Sequence, residues 1–216
     1  MLTAAGIRPA HHGSKLARAL GTHLHTISER PSAPTANGPA SDVLLAYLGE
    51  QISVLRQQDP RVRLDAHDAV HRMRVATRRM RSVLATYRTL LEDAQTVGLL
   101  RAELKWLAGV LGQARDAEVM HGRLKDMLGK EPVELLMGPV ARRVDIELGG
   151  GYRKAHTQVL EALDEQRYFL LLDMLESLMS APALTPLGTK PARRIIPTLI
   201  NRDIKRLRAA VREARN

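Results

Sequence analysis

His71, Arg74, Arg78 and Arg81 recur at spacings of three and four within "AVHRMRVATRRMRSVL" (residues 69–84), so on an α-helix they form one stripe of a single sign, with His67 preceding it and Ala85 continuing it. Such a stripe suits one kind of chemistry. Guanidinium forks donate paired hydrogen bonds to phosphate oxygens, and the excess of Arg over Lys favours phosphate recognition over diffuse attraction. Val70, Met73, Thr77, Met80, Leu84, Tyr87 and Leu91 share the same periodicity and mark a face turned to neighbouring helices. At roughly 100° per residue the basic stripe lies about a quarter turn from that face. A merely solvated face would lie opposite the core and mix signs. Arg72 and Arg79 fall on the side turned away from the core.

The pattern recurs in two later segments. In "RAELKWLAGVLGQARD", Leu100, Leu104, Leu107 and Leu111 make the core face, and Arg101, Lys105 and Arg115 run beside it with Ala108 and Gly112 between them, small enough for a ligand to come close. Near the end of the chain, Ile200, Ile204, Leu207 and Val211 are the apolar set, and Arg202, Lys205, Arg208 and Arg212 the basic one. Three such shoulders can converge on one groove. The self-repulsion this creates is relieved when an anion fills it. No G-x-x-x-x-G-K-[ST] loop or helix-turn-helix is present, and one Phe, one Trp and four Tyr give little to stack on bases, so phosphate without a base fits best, as a linear repetitive polyanion. His67 and His71 stand at metal-ligand spacing. No carboxylate or third histidine joins them on that face and the arginines oppose a cation, so neither a metal nor another cofactor is expected. His11, His12, His23 and His25 lie in a loose N-terminal stretch and carry no site.

These stripes need helices to hold them. Of 216 residues, 44% are hydrophobic, enough for one good core, and a net charge of +10 points to a polyanionic partner. The absence of cysteine excludes disulfides and thiolate metal sites. No stretch reaches the roughly 18–20 apolar residues of a membrane span, and the start lacks a signal core, so a cytoplasmic protein is expected. Residues 1–40 read as a poorly structured segment, with a short helix possible in "GSKLARALGTHLHTISE", and a Pro/Ala/Ser-rich linker. From Ser41 the periodicity predicts an all-α antiparallel bundle over 41–216. Its helices are a first, capped by Ser41 or Asp42 and closed by Asp59-Pro60; a second from about Asp65 to Leu91; a third from about Ala94 to Leu111; a fourth from the break at Gly112 to Gly129; two within 134–180 around "GGG" (149–151) or one kinked helix; and a last over roughly 192–213. No strand alternation is present.

"DAVHRMRVATRRMRSVLATYRTLL" followed by "ELKWLAGVLGQARDAEVM" resembles the CHAD domain, a family named for its histidine-bearing helix, and the likeness extends more loosely over 41–216. The resemblance implies a helical bundle with internal two-fold pseudo-symmetry whose basic cavity binds inorganic polyphosphate. It assigns the His-and-Arg helix to His71, Arg74, Arg78 and Arg81 and the second basic segment to Lys105 and Arg115; Arg202 and Lys205 of the last helix complete the expected site. The second histidine-and-basic helix of such domains has no counterpart before Asn216, and His156 in "YRKAHTQ" is not that motif. The bundle is therefore expected to lack its last helices, to leave apolar stripes uncovered and to self-associate as a homodimer. "LTAAGIRPAHHGSKLARALG" resembles the tail of a CYTH triphosphatase domain without its E-x-E-x-[KR] signature.

No activated nucleophile, general base or metal-binding carboxylate cluster accompanies the basic residues, so a binding module rather than an enzyme is expected, in association with polyphosphate granules. Two alternatives remain: a nucleic-acid-binding protein that uses its charge along a phosphate backbone, and an inactive remnant of a triphosphate hydrolase. Arg115-Asp116 is read as mixed, with Asp116 capping or orienting.

Overall fold

The computed structural model describes residues 33–132 and 138–214; the possible helix within residues 13–29 lies outside them, as do 133–137 of the segment read as two helices. The described residues form an all-α bundle of six helices: α1 (Ala40–Arg63), α2 (Ala69–Thr86), α3 (Ala94–Leu128), α4 (Val140–Asp164), α5 (Gln166–Ser180) and α6 (Ala192–Glu213). Each of the first four packs along the next, as short connections between antiparallel helices require, and α5 closes the layer against α1, α3 and α4. Leu44, Leu48 and Leu55 of α1, Met73, Met80 and Leu84 of α2, and Leu100, Leu104, Leu107 and Leu111 of α3 are fully buried at the centre. Thr77, buried among them, donates its hydroxyl to the Arg74 carbonyl at 2.8 Å.

Several helix boundaries differ from the sequence reading; helix α2, for one, ends at Thr86 rather than Leu91. Helix α1 does not stop at Asp59-Pro60 but continues to Arg63. An interior proline costs roughly 3 kcal/mol. Against that cost, Val62 is fully buried and Asp59 accepts hydrogen bonds from Arg63 Nε at 2.6 Å and from the Tyr168 hydroxyl at 2.8 Å. Burial, followed by the bond to Asp59, pushes the Tyr168 phenol well above its usual range and keeps that donor protonated. Helix α2 begins at Ala69 rather than Asp65, because Asp65 and Asp68 both take positive φ (49° and 63°) in the α1–α2 connection. Tyr152 donates to Asp65, and His156 Nε2 meets the Val62 carbonyl at 2.9 Å, which fastens this connection to α4. Gly112 does not break α3. The helix runs through it for 35 residues, since the buried Leu107, Leu111 and Ala114 outweigh the roughly 1 kcal/mol cost of one interior glycine. Helix α4 likewise passes through Gly149–Gly151, and the break before α5 falls at the extended Glu165.

The starts of α1 and α6 cap one another. Ala40 and Ser41 donate their backbone N–H groups to the carbonyls of Lys190 and Gly188 at 2.8 and 3.0 Å, while Ala192 and Arg193 donate to Gly38 and Ala36 at 2.8 and 2.9 Å. Four donors that a helix start leaves unpaired are thereby satisfied without a capping side chain, so Ser41 is buried and caps nothing. Beyond this clasp α6 is thinly packed. Ala192 and Leu199 are its buried residues, whereas Ile200, Ile204, Leu207 and Val211, read as a core face, are 42%, 38%, 65% and 44% exposed.

Two outcomes test this architecture. A Cβ at Gly188 would stand 2.8 Å from the Leu90 carbonyl oxygen and 3.2 Å from that of Thr185, so Gly188→Ala should destabilise the chain by about 1–3 kcal/mol in urea unfolding. At the start of α3, Asp93 accepts from the Thr96 hydroxyl at 2.6 Å and its backbone N–H at 2.8 Å, and these bonds lower its carboxyl pKa. A lowered folded-state value contributes stability that is present above the ordinary carboxylate range and lost as pH falls through the lowered value. Asp93→Asn should therefore lower the thermal midpoint at neutral pH, with the difference shrinking in acid.

Candidate functional site

One contact sets the geometry of the basic residues. The Arg74 guanidinium lies over Gly112, its Nε 3.3 Å from where a Cβ on that glycine would stand. With α2 and α3 antiparallel, each step along one is matched by a step back along the other. Continued at an ideal antiparallel register, that contact sets Arg78 level with Ala108, Arg81 with Lys105, Ala85 with Arg101 and His71 with Arg115. The 3.8 Å approach of Arg115 to Asp68 agrees with this register. Two basic stripes read separately in the sequence therefore line one seam, about 21 Å long at 1.5 Å per residue. A long side chain faces a residue without one where Arg74 lies over Gly112, which lets α2 and α3 approach there.

The cations of the seam differ in what holds them. Arg74, Arg78, Arg81, Arg101 and Lys105 have no carboxylate within 4.0 Å among the described residues. His71 is half-buried and makes no side-chain hydrogen bond there. The Nε atoms of Arg74 and Arg101 are buried without an acceptor. A buried donor without a partner is costly, and it invites an oxygen-rich ligand. Arg115 is different. Its guanidinium pairs with Glu118 at 3.0 Å and approaches Asp68, so its charge is met within the fold and it marks the closed end of the seam rather than an open position. Asp116 is exposed and does not reach Arg115.

The third stripe reaches the seam only at its edge. Arg202 donates to the Thr86 carbonyl at 2.7 Å at the end of α2, and its Nε is buried without an acceptor 3.7 Å from Asp203. Asp203 in turn accepts from the Thr86 hydroxyl at 2.5 Å. Arg202 therefore docks α6 onto α2, and Lys205 is exposed on α6 with no hydrogen bond or ion pair among the described residues. Between α1, α2 and α6 lies a cavity of about 730 Å³ lined by Val43, Tyr47, Val75, Val83, Ile200, Ile204 and Leu207, with Arg74, Arg78 and Arg79 at its α2 wall. Arg79, read as turned away from the core, is exposed and lines this groove, whereas Arg72 sits outside it and pairs with Asp68 at 3.3 Å. Arg101 was visible on the helical stripe, but nothing in the sequence separated it from a solvated charge; its buried Nε does.

The CHAD domain matches residues 46–216. The chain belongs to the CHAD domain family. This family is linked to polyphosphate binding. Two uncharacterized proteins of Mycobacterium tuberculosis, MT2285 and Rv2226, are each 39% identical to it over 216 residues, which is 98% of this chain and 39% of the relative. The chain thus spans about two-fifths of the length of the curated relatives it matches. Among solved structures, PptA from Streptomyces chartreusis superposes with a TM-score of 0.66 at 26% identity, over 80% of this CHAD chain and 60% of that one. Among the described residues no helix of the CHAD chain is long and apolar enough to cross a membrane.

The register yields a test that leaves every charge in place. Gly112→Val puts methyl groups where the Arg74 guanidinium lies, and on the polyphosphate reading proposed below it should weaken binding of that polymer about tenfold, the size of one charge-assisted hydrogen bond. Calorimetric titration measures the loss, with a thermal melt to confirm that the helix persists.

Proposed function

We propose that this CHAD chain binds inorganic polyphosphate along the α2–α3 seam as a non-catalytic module, with His71, Arg74, Arg78, Arg81, Arg101 and Lys105 facing the polymer. The observation that carries this reading is the burial of the Nε donors of Arg74 and Arg101 without a protein acceptor, on helices whose basic stripes have no carboxylate within 4.0 Å of Arg74, Arg78, Arg81, Arg101 or Lys105 among the described residues. A flexible polyanion supplies oxygen acceptors at every unit and can follow a seam about 21 Å long. Arg202 and Lys205 extend the positive field from α6 rather than the line of contacts. A cytoplasmic site of action, with polyphosphate granules as the store of ligand, accords with this role. Nucleic-acid binding uses the same charge but gains nothing from a seam without aromatic platforms.

Neutralising contact residues and neutralising distant ones separates a seam from a diffuse field. Arg74→Gln/Arg78→Gln should lower the slope of log affinity against log salt by about 2, one for each lost phosphate contact. Arg142→Gln/Arg143→Gln, at exposed positions of α4, removes the same net charge and should leave most of the affinity and slope intact. Equal losses in the two variants would exclude the seam. In the same salt series polyphosphate should outcompete duplex DNA at equal phosphate, and preference for the duplex would replace this reading with the nucleic-acid one. Hydrolysis of tripolyphosphate with added divalent metal would show that the module is catalytic.

A further inference from the structure

We propose that Glu118 is a built-in competitor for the basic edge: with Asp68 it holds Arg115 in reserve, and a bound polyphosphate draws Arg115 away by displacing the carboxylate. The proposal rests on the polyphosphate reading above and adds to it the residue that sets the threshold for binding. Arg115 follows Gly112 by three residues on the basic stripe of α3, and the Arg74 guanidinium lies over that glycine. About one helical turn separates them. Yet of the cations on the α2 and α3 stripes Arg115 alone is ion-paired among the described residues, with Glu118 at 3.0 Å and Asp68 at 3.8 Å from its Nη1.

Asp68 gives a second sign that the pairing is built into the fold. An aspartate just ahead of a helix ordinarily accepts a hydrogen bond from a backbone N–H of the first turn. Asp68 stands just ahead of Ala69 and makes no such bond. Its φ of 63° lies in the left-handed region, which a non-glycine residue adopts at a cost, and its carboxylate reaches Arg72 at 3.3 Å and Arg115 at 3.8 Å instead. Arg115 is thus held from two elements, by Glu118 on its own helix and by Asp68 on the α1–α2 connection.

The hold is loose enough to exchange. The side chains of Arg115, Glu118 and Asp68 are 26%, 30% and 27% exposed, so water reaches all three, and ion pairs in contact with water are worth little. A phosphate group takes a guanidinium with two parallel charge-assisted hydrogen bonds. A polymer already bound at Arg74 and Arg78 also presents its next unit to Arg115 at high local concentration. The exchange then favours the ligand, and the affinity of the whole seam is lowered by what it costs to part Arg115 from Glu118.

Calorimetric titration of the full chain with a sized sodium polyphosphate fraction, at one salt concentration and neutral pH, tests this. Glu118→Gln should tighten binding about fivefold, the cost of parting a partly exposed pair, and Arg115→Gln should weaken it. In Arg115→Gln/Glu118→Gln the gain should vanish, leaving the affinity of Arg115→Gln alone. Asp116→Asn removes the same charge from a neighbouring exposed position that does not reach Arg115, and should change affinity less than about twofold. Glu118→Ala should repeat the gain by a second route, and a thermal melt of each variant confirms the fold. A gain that persists without Arg115, or that Asp116→Asn matches, means that the carboxylates act only through the overall field; unchanged affinity in Arg115→Gln means that Arg115 never meets the polymer. Either result overturns the competitor while the binding reading stands. A wild-type chain that takes up no polyphosphate overturns both.

Discussion

The packing of α2 on α3 forces like charges together, and the rest of the molecule is arranged around that constraint. Met73, Met80 and Leu84 meet Leu100, Leu104, Leu107 and Leu111 in a fully buried layer, and each such side chain contributes about 1.5–3 kcal/mol. A pair of solvated like charges a few ångströms apart costs roughly 1 kcal/mol or less in water. Core burial therefore wins, and the two basic stripes are held along one edge even though they repel. Their repulsion is a standing bias toward any ligand that brings negative charge in a row.

Small residues decide how that edge is built. Were Gly112 large, the Arg74 guanidinium would be pushed outward. Instead it lies across α3, and its Nε, like that of Arg101, is buried without an acceptor. The closed end is treated differently. Arg115 is neutralised by Glu118 and Asp68, and Asp68 sits in the left-handed conformation at the mouth of α2. The tight α1–α2 connection, tied to α4 through Asp65, Tyr152 and His156, thus fixes where the unpaired stretch begins.

Helix α6 is joined to this frame by its start and left thinly packed beyond it. The reciprocal backbone capping with α1 and the Arg202–Thr86 contact hold its first half, and the stripe from Ile200 to Val211 has little beneath it. A helix anchored at one end and apolar along one exposed face is suited to receive another surface. Its position beside Arg74 and Arg78 places such an event next to the basic edge.

The helical class, the buried faces of α2 and α3 and the basic stripes beside them were legible from residue spacing, because a 3.6-residue period and single-signed charge are properties of consecutive residues. The CHAD resemblance rested on the same two segments. The fate of Pro60, Gly112 and Gly149–Gly151 was not legible. Each is a local helix breaker of about 1–3 kcal/mol, and the burial of Val62, of Leu111 with Ala114, and of Gly149 beside His121 overrides it through neighbours distant in the chain. The sequence by itself determined which residues are apolar, which are cationic and how they repeat. Only the tertiary structure decided that Arg74 meets Gly112, that Arg115 is spent on Glu118, that Arg79 faces the groove and that Ile200–Val211 is uncovered, because register, ion pairing and burial depend on which surfaces meet, and one helix alone carries no information about its partner.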